Sequence, residues 1–506
     1  MPASASKSTG ISRFGEKLLS FLCPDQYGTV GDTSDTSSIV MADLTIRNLT
    51  ATALELKLVE RLDAKPTSGG EHKIKDKLTG CFKGASVAQH ARAKGESRDR
   101  RELSLPLGRF ETHATDVQAP EPGHEVVRMT LEFDGHRYQV DVPGESGRSL
   151  VMKKLDDGPH EYTVVYVTNG ACVSIYSSTH LSSWMKELRD DWPLTALSIP
   201  GTHNSPTSHV ALPSVRCQAV GIREQLDNGV RFFDIRVQVN SDPDKSDLIL
   251  VHSAFPVSLT GNKYFHDLLD DVYSFLDANP SETLIMSIKR EGTGKGTDQQ
   301  LSKHLHQRYA APDNAQWFTE PRIPRLGEAR GRVVLFRRHA NDASLDAEHG
   351  GRGYGLDCSA WPDNCEDEPT GGPGIARVQD FYEMDQSHNI AKKIELARAH
   401  LERAAERVCP ADLAPGDEYK PFFVNFLSAS NFFNANCWPE KIAAKLNPAT
   451  IEYMALRHGE AGKGPNGLAV GDGCTGIVVT DWVGLGGDWD LIRCIVGWNA
   501  RLQLKE

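Results

Sequence analysis

The stretch Ser198-Ile199-Pro200-Gly201-Thr202-His203-Asn204-Ser205 decides the fold, because it closes a short apolar run with a histidine. Two later runs close in a comparable way, with Phe233-Asp234-Ile235-Arg236 and with Val251-His252-Ser253. The carboxyl ends of parallel strands meet at one edge of a sheet, so the three motifs predict two imidazoles and a guanidinium close together. Such a set can cleave a phosphodiester by acid–base chemistry without a metal ion.

The region beyond Trp184 alternates short apolar runs with helical stretches, which is typical of βα units around a parallel sheet. Eight such runs predict an α/β fold with a (β/α)8 TIM barrel, in which active sites lie at the carboxyl ends of the strands. The connection after Arg236, residues 237–247, is too short and too rich in turn formers for a packed helix, so we expect a distorted barrel. The runs are Ala196–Ile199, Arg231–Val237, Leu248–Val251, Thr283–Ile288, Arg332–Phe336, Ile375–Val378, Phe422–Leu427 and Gly476–Thr480.

The part of the chain before the barrel has a different pattern. Residues 39–180 alternate apolar and polar positions, as in Leu54-Glu55-Leu56-Lys57-Leu58, which predicts a small antiparallel, sandwich-like β domain. Residues 1–38 are rich in Ser, Thr, Gly and Asp, which is typical of a disordered tail. We therefore expect a tail over 1–38, an accessory domain over 39–180 and a catalytic barrel over 181–506. A basic stretch, Lys73–Arg101, is either a solvated loop or a patch for anionic lipid headgroups.

The composition limits the class of protein. A net charge of -12 argues against a general nucleic-acid binder, which needs a basic surplus. The sequence has no run of about 18 apolar residues, so we expect peripheral membrane contact and no transmembrane segment. The N-terminal residues lack the apolar core of a secretory signal, which favours a cytoplasmic protein. Ten cysteines at irregular spacings indicate neither a zinc site nor a disulfide framework.

The polar residues at the strand ends suggest a division of labour. His203 and His252 are candidates for a general base and a general acid, since imidazole exchanges protons near neutral pH. Arg236 could hold phosphate oxygens, although it could equally be a buried ion-pair partner of Asp234. Asp481 follows the last strand, which neighbours the first in a closed barrel, so its carboxylate could fix the tautomer of His203.

These residues carry a family resemblance. From about Trp192 to Ala500 the chain resembles phosphatidylinositol-specific phospholipase C of the bacterial, metal-independent type. The matching strings are Ser198-Ile-Pro-Gly-Thr-His203, Phe233-Asp-Ile-Arg236, Val251-His252, Ser287-Ile-Lys289, Trp361-Pro-Asp-Asn364, Val378-Gln-Asp380-Phe-Tyr382 and Asn425-Phe-Leu-Ser-Ala-Ser430.

The resemblance implies both a reaction and a site. His203 would deprotonate the inositol 2-hydroxyl and His252 would protonate the leaving oxygen, so that phosphatidylinositol, or an inositol glycolipid anchor, gives diacylglycerol and inositol 1,2-cyclic phosphate. Arg236 would clamp the phosphate, and Asp234 and Asp481 would support the imidazoles. The residues implied to bind substrate are Asn204, Lys289, Arg338 (in preference to Arg337), Asp380 and Tyr382.

The resemblance also bears on metals and cofactors. The animal and plant branch of the superfamily resembles a calcium enzyme, with acidic ligands where this chain has Arg236 and Lys289. Two fixed cations would repel a dication while supplying its charge, so we expect neither a metal nor another cofactor. Asn204 departs from this pattern, because bacterial members usually have aspartate there and asparagine is typical of the calcium branch.

Two other functions stay open. One is a metal-dependent barrel enzyme, such as a glycerophosphodiesterase or a sphingomyelinase-D-like enzyme, and a strict magnesium or calcium requirement would favour it. The other is a non-catalytic inositol-lipid binding protein, suggested by Asn204 and the additional β domain. The acidic, Gly-rich segment Asn341–Gly374 is either a lid or membrane loop or, as we favour, a disordered surface insertion.

Overall fold

The computed structural model describes residues 42–67, 90–145, 149–178, 180–239, 247–371, 374–410 and 421–505. The predicted tail over 1–38 lies outside these ranges, as do residues 73–89 of the basic stretch. The remainder of the basic stretch begins a long strand, so its interpretation as a loop is wrong there.

The first part of the chain forms two five-stranded sheets. Their strand orders are β4-β1-β10-β9-β7 and β3-β2-β5-β6-β8. Alternate residues of both sheets, such as Leu56, Met129 and Val164, point into one shared hydrophobic cluster. The strands are β1 (Asp43–Leu49), β2 (Leu54–Pro66), β3 (Ala91–Leu107), β4 (Thr112–Gln118), β5 (Glu125–Phe133), β6 (His136–Val142), β7 (Ser149–Val151), β8 (Lys153–Lys154), β9 (Glu161–Val167) and β10 (Cys172–Ser178).

The predicted antiparallel pairing holds for every pair in these two sheets except one. β1 runs parallel to β10, with Thr45 opposite Cys172 and Leu49 opposite Tyr176. The two strands are separated by the whole of the intervening β region, which is long enough for the crossover that parallel pairing needs. β10 is thereby placed in the middle of its sheet.

The second part of the chain is a mixed α/β structure built on one large sheet. Its main strand order is β16-β17-β15-β12-β11-β22-β21-β20-β19, with β13, β14 and β18 attached at the side. The strands are β11 (Ile199–Thr202), β12 (Phe232–Gln238), β13 (Ile249–His252), β14 (Phe255–Pro256), β15 (Leu284–Arg290), β16 (Trp317–Phe318), β17 (Val333–Arg338), β18 (Leu356–Asp357), β19 (Glu368–Pro369), β20 (Ala376–Gln379), β21 (Phe422–Phe426) and β22 (Ile477–Thr480).

The helices of this part connect and cover the strands. They are α1 (Ile222–Asp227), α2 (Phe265–Ala278), α3 (Asp298–Arg308), α4 (Leu326–Ala329), α5 (Glu348–Gly351), α6 (Asn389–Glu406), α7 (Pro439–Leu456) and α8 (Asp490–Gly497). In α2 the buried residues Phe265, Leu268, Leu269, Val272, Phe275 and Leu276 recur at helical spacing and form the face toward the core. None of the helices in the described ranges has both the length and the apolar content needed to cross a bilayer.

Six of the eight predicted runs lie on parallel strands, the first reaches the parallel strand β11 only at Ile199, and the third is antiparallel. The run Leu248–Val251 is β13, which pairs antiparallel with β12 through Val237 opposite Leu250. The short connection explains the error, since a parallel crossover needs a dozen or more residues and a hairpin needs only a few. The hairpin still brings His252 to the same edge of the sheet, because it lies beside the end of β12.

Local sequence explains how closely the first strand is placed. β11 runs parallel to both β12 and β22, with Thr202 opposite Phe233 on one side and Thr480 on the other. Gly201 permits this approach, since a Cβ at that position would lie 3.0 Å from the Phe232 Cβ. The predicted adjacency of the first and last strands is therefore present.

The segment over 341–374 is folded, so its interpretation as a disordered surface insertion is wrong. It contains β18 and β19, and Tyr354, Leu356 and Cys358 are each at most 1% exposed. β18 runs parallel to β17, and β19 pairs antiparallel with β20. These side chains belong to the hydrophobic core of the large sheet, a contribution that the acidic and glycine-rich composition of the segment concealed.

The two parts of the chain are joined by buried polar contacts. The guanidinium of Arg47 on β1 donates to the carbonyl oxygens of Ala455 and His458. Ser174 on β10 donates to the same Ala455 carbonyl at 2.8 Å. The sheet that contains β1 and β10 therefore packs against the end of α7.

Candidate active site

A cavity of about 890 Å³ opens where the parallel strands of the large sheet end. Among the ten residues that the sequence singled out, seven line it: His203, Arg236, His252, Lys289, Arg338, Asp380 and Tyr382. The other three, Asn204, Asp234 and Asp481, are at most 2% exposed and lie behind this lining. The structure thus brings all ten to one place, in two layers.

His203 directly follows β11 and is oriented by a carboxylate. Its Nδ1 lies 2.9 Å from Oδ1 of Asp481, which follows the neighbouring strand β22. Burial raises the pKa of Asp481, and the adjacent imidazole opposes that rise. With Nδ1–H donated to the carboxylate, Nε2 carries the lone pair, which is the tautomer that a general base requires.

The side chain of Asn204 contacts Nε2, the other ring nitrogen of His203. Its amide nitrogen lies 2.9 Å from Nε2 of His203, and its backbone N–H donates to Asp234 at 3.1 Å. The residue has a left-handed backbone with φ of 42°, a conformation that asparagine tolerates better than most residues.

His252 is the last residue of β13 and has no carboxylate partner on its Nδ1. That nitrogen donates to the backbone carbonyl of Val215 at 2.9 Å. Burial, and next the charge of Arg236, lower the pKa of His252 to about 4. The imidazole therefore stays neutral in the free protein at pH 7. The rings of His203 and His252 are perpendicular, with centroids 5.8 Å apart.

Arg236 is fixed between two acids on the wall of the cavity. Its guanidinium contacts Asp234 at 3.1 Å and Glu291 at 3.0 Å. Burial alone would raise the pKa of Asp234, but Arg236 and Arg338 lower it well below its ordinary value. Both acids are therefore ionised, and the guanidinium is held in one orientation beside the two histidines.

The two consecutive arginines at the end of β17 point in different directions. Arg338 contacts Asp234 at 3.3 Å, and its guanidinium carbon lies 3.7 Å from the centroid of the Trp361 ring. Arg337 instead bonds to the carbonyl oxygens of Tyr354 and His339. Only Arg338 lines the cavity, in agreement with the preference stated for it.

The remaining predicted binding residues form the far wall. The Lys289 ammonium contacts Glu291 at 2.9 Å. Asp380 accepts a hydrogen bond from the Trp361 indole at 3.1 Å, and the Tyr382 hydroxyl donates to Asp363 at 2.8 Å. This wall offers donors and acceptors of both kinds, as a polyhydroxylated ring requires.

Glu291 is a site residue that the sequence reasoning missed. Besides Arg236 and Lys289, its carboxylate accepts from the backbone N–H of Ser253 at 2.7 Å. Burial would raise the pKa of Glu291, but Arg236 and Lys289 lower it to about 2. The available signal was its spacing, because a residue two positions after Lys289 points to the same face at a strand end.

His203, Cys217 and His252 offer ligand atoms that lie within 4.8 Å of one another. Nδ1 of His203 bonds to Asp481 and Nδ1 of His252 bonds to Val215, which leaves the Nε2 atoms as the ligand atoms of the two imidazoles. Burial raises the pKa of the Cys217 thiol and so disfavours the thiolate that a metal ion would bind.

An aromatic cluster borders the mouth of the cavity. It consists of Phe255, Phe432 and Phe433, which are 38%, 45% and 95% exposed. The rings of Phe255 and Phe432 are stacked with centroids 5.9 Å apart, and Phe433 meets Phe432 edge-on. Phe255 lies on β14 and the other two lie in the loop after β21.

Comparison with known proteins places these motifs in a family. Residues 191–339 match the family model for the phosphatidylinositol-specific phospholipase C X domain. A 1-phosphatidylinositol phosphodiesterase of Staphylococcus aureus is 28% identical over 307 residues, which cover 56% of this chain and 84% of the relative. Residues 191–339 thus match the X domain of phosphatidylinositol-specific phospholipase C, and the chain is similar to bacterial enzymes of that kind.

Other members of the family show the range of the similarity. A 1-phosphatidylinositol phosphodiesterase of Listeria monocytogenes is 27% identical over 241 residues, covering 44% of this chain and 70% of the relative. A solved structure of a Staphylococcus aureus phosphatidylinositol-specific phospholipase C has a TM-score of 0.48 and 25% identity, covering 63% of this chain and 98% of that one.

The family model spans only part of the cavity. Its match includes β11, β12, β13, β15 and β17, and so contains His203, Arg236 and His252. Asp380, Tyr382 and Asp481 lie beyond residue 339, outside that match. Their place in the site follows from the strand order β11-β22-β21-β20, since Asp481 follows β22, and Asp380 and Tyr382 follow β20.

Proposed function

We propose that this protein cleaves phosphatidylinositol, or the inositol phosphodiester of a glycolipid anchor, to diacylglycerol and inositol 1,2-cyclic phosphate. The observation that carries the proposal is the convergence of two imidazoles with different partners, their centroids 5.8 Å apart, in a cavity that one fixed guanidinium also lines. The family relationship supports it, because the Staphylococcus aureus and Listeria monocytogenes relatives are 1-phosphatidylinositol phosphodiesterases.

In the first step His203 acts as the base. Its Nε2 lone pair takes the proton of the inositol 2-hydroxyl, whose oxygen then attacks the phosphorus. Asp481 stabilises the imidazolium that forms. The hydroxyl is already tethered to the phosphorus that it attacks, which avoids an entropic cost of up to about 7–11 kcal/mol for well-oriented groups.

His252 acts as the acid, and the substrate supplies the condition for it. A pKa of about 4 leaves His252 unprotonated in the free protein at pH 7. The bound phosphodiester brings a negative charge beside Arg236, which offsets the repulsion that disfavours the imidazolium. His252 thus gains its Nε2 proton together with the substrate and gives it to the departing diacylglycerol oxygen.

Arg236 holds the non-bridging oxygens, and Asp234 with Glu291 keeps its guanidinium in place. Lys289, Arg338, Asp380, Tyr382 and Asn204 complete the pocket for the inositol ring and phosphate. The positive charge that a calcium ion would bring is present in Arg236 and Lys289, so we propose a reaction without a metal cofactor.

We infer that the membrane surface is the partner of the aromatic cluster Phe255, Phe432 and Phe433. These rings border the cavity that takes the headgroup, and amphipathic interfaces favour exposed aromatic side chains. Phe433→Ser should weaken binding to phosphatidylinositol vesicles several-fold, while hydrolysis of detergent-dispersed substrate changes less than twofold. Leu155→Ser, at an exposed residue away from the cavity, is the matched control.

We also propose a closed barrel for the large sheet and a division of the chain into domains. We infer a distorted TIM barrel, because side chains from distant strands meet inside the sheet: Phe336 on β17 contacts Phe422 on β21 with centroids 6.0 Å apart. We also propose that residues 39–180 are a sandwich-like accessory domain, that 181–506 are the catalytic domain, and that the protein acts in the cytoplasm at the membrane.

The two alternatives receive less support. A metal-dependent phosphodiesterase needs acidic ligands where Arg236 and Lys289 stand beside the histidines. A binding protein has no need of a carboxylate that orients a histidine toward the phosphate position. A strict divalent-cation requirement would favour the first, and lipid binding without turnover would favour the second.

The test is hydrolysis of phosphatidylinositol in excess chelator by the purified full chain, with the cyclic product identified by phosphorus NMR. His203→Ala and His252→Ala should each lower kcat by at least about 10³-fold. His180→Ala, at an exposed histidine that does not line the cavity, is the control. Unchanged rates in the two site variants, or loss of the wild-type activity on chelation, would overturn the proposal.

A further inference from the structure

Asn204 contacts the candidate base from behind the lining of the cavity. The side chain is fully buried, and its amide nitrogen lies 2.9 Å from Nε2 of His203. Because Nδ1–H of that histidine is given to Asp481, Nε2 has a lone pair and the amide N–H donates to it. The atom that must accept the substrate proton is therefore covered by an amide in the free protein.

The other end of the amide is unsatisfied. Within the described residues, Oδ1 of Asn204 is buried and has no hydrogen-bond partner. An unpaired buried acceptor is costly, so its persistence calls for a second state in which it is used. A half-turn about the Cβ–Cγ bond exchanges the two ends of the amide and brings Oδ1 to the place that Nδ2 now occupies.

We propose that Asn204 is a two-way amide at the base: its N–H pairs with neutral His203, and after a half-turn its Oδ1 accepts the Nε2–H of protonated His203. The inference rests on the proposed role of His203 as base. The amide can hydrogen-bond to both protonation states of His203 in the free enzyme. Because it is neutral, it adds no net charge that would favour one state over the other. An incoming hydroxyl displaces it from Nε2.

Asn204 places a neutral amide at Nε2 of His203. His203 already faces the carboxylate of Asp481, and Asp234 is hydrogen-bonded to the Asn204 backbone. A third carboxylate, placed at Nε2, would favour the imidazolium, which cannot accept a proton from the substrate. The charged and titratable groups facing this region are Asp481 after β22, Asp234 and Arg236 on β12, His252 at the end of β13, Arg338 on β17 and Cys217.

The experiment replaces Asn204 in two ways that preserve its left-handed backbone. Asn204→Asp supplies a carboxylate, and Asn204→Gly removes both ends of the amide. The pH dependence of kcat/KM reports the free enzyme. Its acid limb should move to higher pH by about one unit or more in the Asp variant, because an anion would touch the imidazole. At the pH where the wild-type base is half protonated, kcat/KM then falls roughly fivefold.

The Gly variant should move the same limb by less than about 0.3 pH unit. Neutral and protonated His203 both lose a hydrogen-bond partner in it, so their free-energy difference changes little. Ser359→Asp is the matched control, since it adds a carboxylate to the cavity lining where the native side chain contacts Asp357 and not His203. An Asp variant whose profile overlays that of the wild type would overturn the inference. So would a Gly variant that moves the limb as far as the Asp variant, which is the result expected of a merely structural residue.

A second readout does not depend on turnover. Nitrogen-15 NMR of the imidazoles in the full chain follows the protonation and tautomer of His203 directly. The midpoint of its titration should rise in the Asp variant, with the Nδ1–H tautomer kept in all variants because Asp481 is unchanged. If the protein failed to cleave phosphatidylinositol, the proposed function would fall and this measurement would still test the amide.

Discussion

The two sides of the cavity hold the same side chain in opposite settings. On the side formed by β11 and β22, His203 is paired with a buried carboxylate and capped by an amide. On the side formed by the β13–β14 hairpin, His252 is paired with a backbone carbonyl and lies beside a guanidinium. One imidazole is surrounded by groups that stabilise a proton after it arrives, and the other by groups that repel it.

This difference supports the proposed roles of the two histidines. A base is useful when it is neutral at rest and stabilised once protonated, and Asp481 gives His203 that property. An acid is useful when binding of the anionic substrate raises its pKa, so that it takes up a proton from solvent, and Arg236 gives His252 that dependence on a bound anion. Environment, more than residue type, separates the two histidines.

The largest effect is expected on the carboxylate side. Asp481→Asn keeps the shape of the side chain but lets Nδ1 of His203 accept a hydrogen bond, so the wrong tautomer faces the substrate. We expect kcat to fall by about 10³–10⁴-fold with a much smaller change in KM. Steady-state kinetics on phosphatidylinositol micelles measure this, with Asp488→Asn at an exposed carboxylate as the control. A loss below tenfold would remove the distinction between the two sides.

The guanidinium side should respond in two linked ways. Arg236→Gln removes the phosphate clamp, and we expect kcat/KM to fall by about 10²–10³-fold. It also removes the second-largest cause of the low pKa of His252, so that pKa should rise from about 4 toward its ordinary range. Imidazole NMR of the free protein measures the second effect independently. If the rate fell with no change in the His252 titration, Arg236 would hold the phosphate without affecting the pKa of His252. That result would contradict the proposed coupling between the two residues.

A smaller effect is expected at Glu291, whose carboxylate contacts Arg236 on β12 and Ser253 in the β13–β14 hairpin. Glu291→Gln leaves Arg236 with Asp234 alone and weakens the contact to Ser253. We expect kcat/KM to fall about tenfold, the value of one charge-assisted hydrogen bond. Glu291→Asp should recover part of this loss. Kinetics indistinguishable from the wild type in the Gln variant would mean that Asp234 orients the guanidinium unaided.

Much of this comparison was accessible from the sequence. Apolar runs ending in His203, Arg236 and Asp481 are enough to place those side chains at one sheet edge, because parallel strands end together. The neighbour relation between β22 and β11, which brings Asp481 to His203, follows from the order of strands in a barrel.

The hairpin side was harder to predict for a physical reason. A run of four apolar residues has no property that distinguishes a parallel strand from one arm of a hairpin, and only the short connection before Leu248–Val251 hinted at it. The partner of His252 is a backbone carbonyl, which any residue could supply, so no side chain signals it. Glu291 was missed because its role depends on three contacts from separate elements.

The smallest expected effect compares His252 with a buried histidine outside the cavity. Burial is the main cause that lowers the pKa of His252 to about 4 and that of His458 to about 3. Both folded-state values lie below the value near 6.5 of an unfolded chain, so the unfolded state binds more protons between them. Their contribution to the free energy of unfolding is complete above pH 6.5, where both are neutral in the folded and unfolded states, and is lost as the pH falls.

Each histidine should therefore lower the free energy of unfolding by about 1 kcal/mol between pH 6.5 and pH 5.5. Urea unfolding at the two pH values measures this slope, and His252→Gln and His458→Gln should each flatten it by about that amount. Saturating inositol phosphate should abolish the part of this pH dependence that is due to His252, because the bound anion favours protonation of that imidazole. The part that is due to His458 should stay unchanged. Equal sensitivity of both histidines to the ligand would show that the setting of His252 is not specific to the cavity.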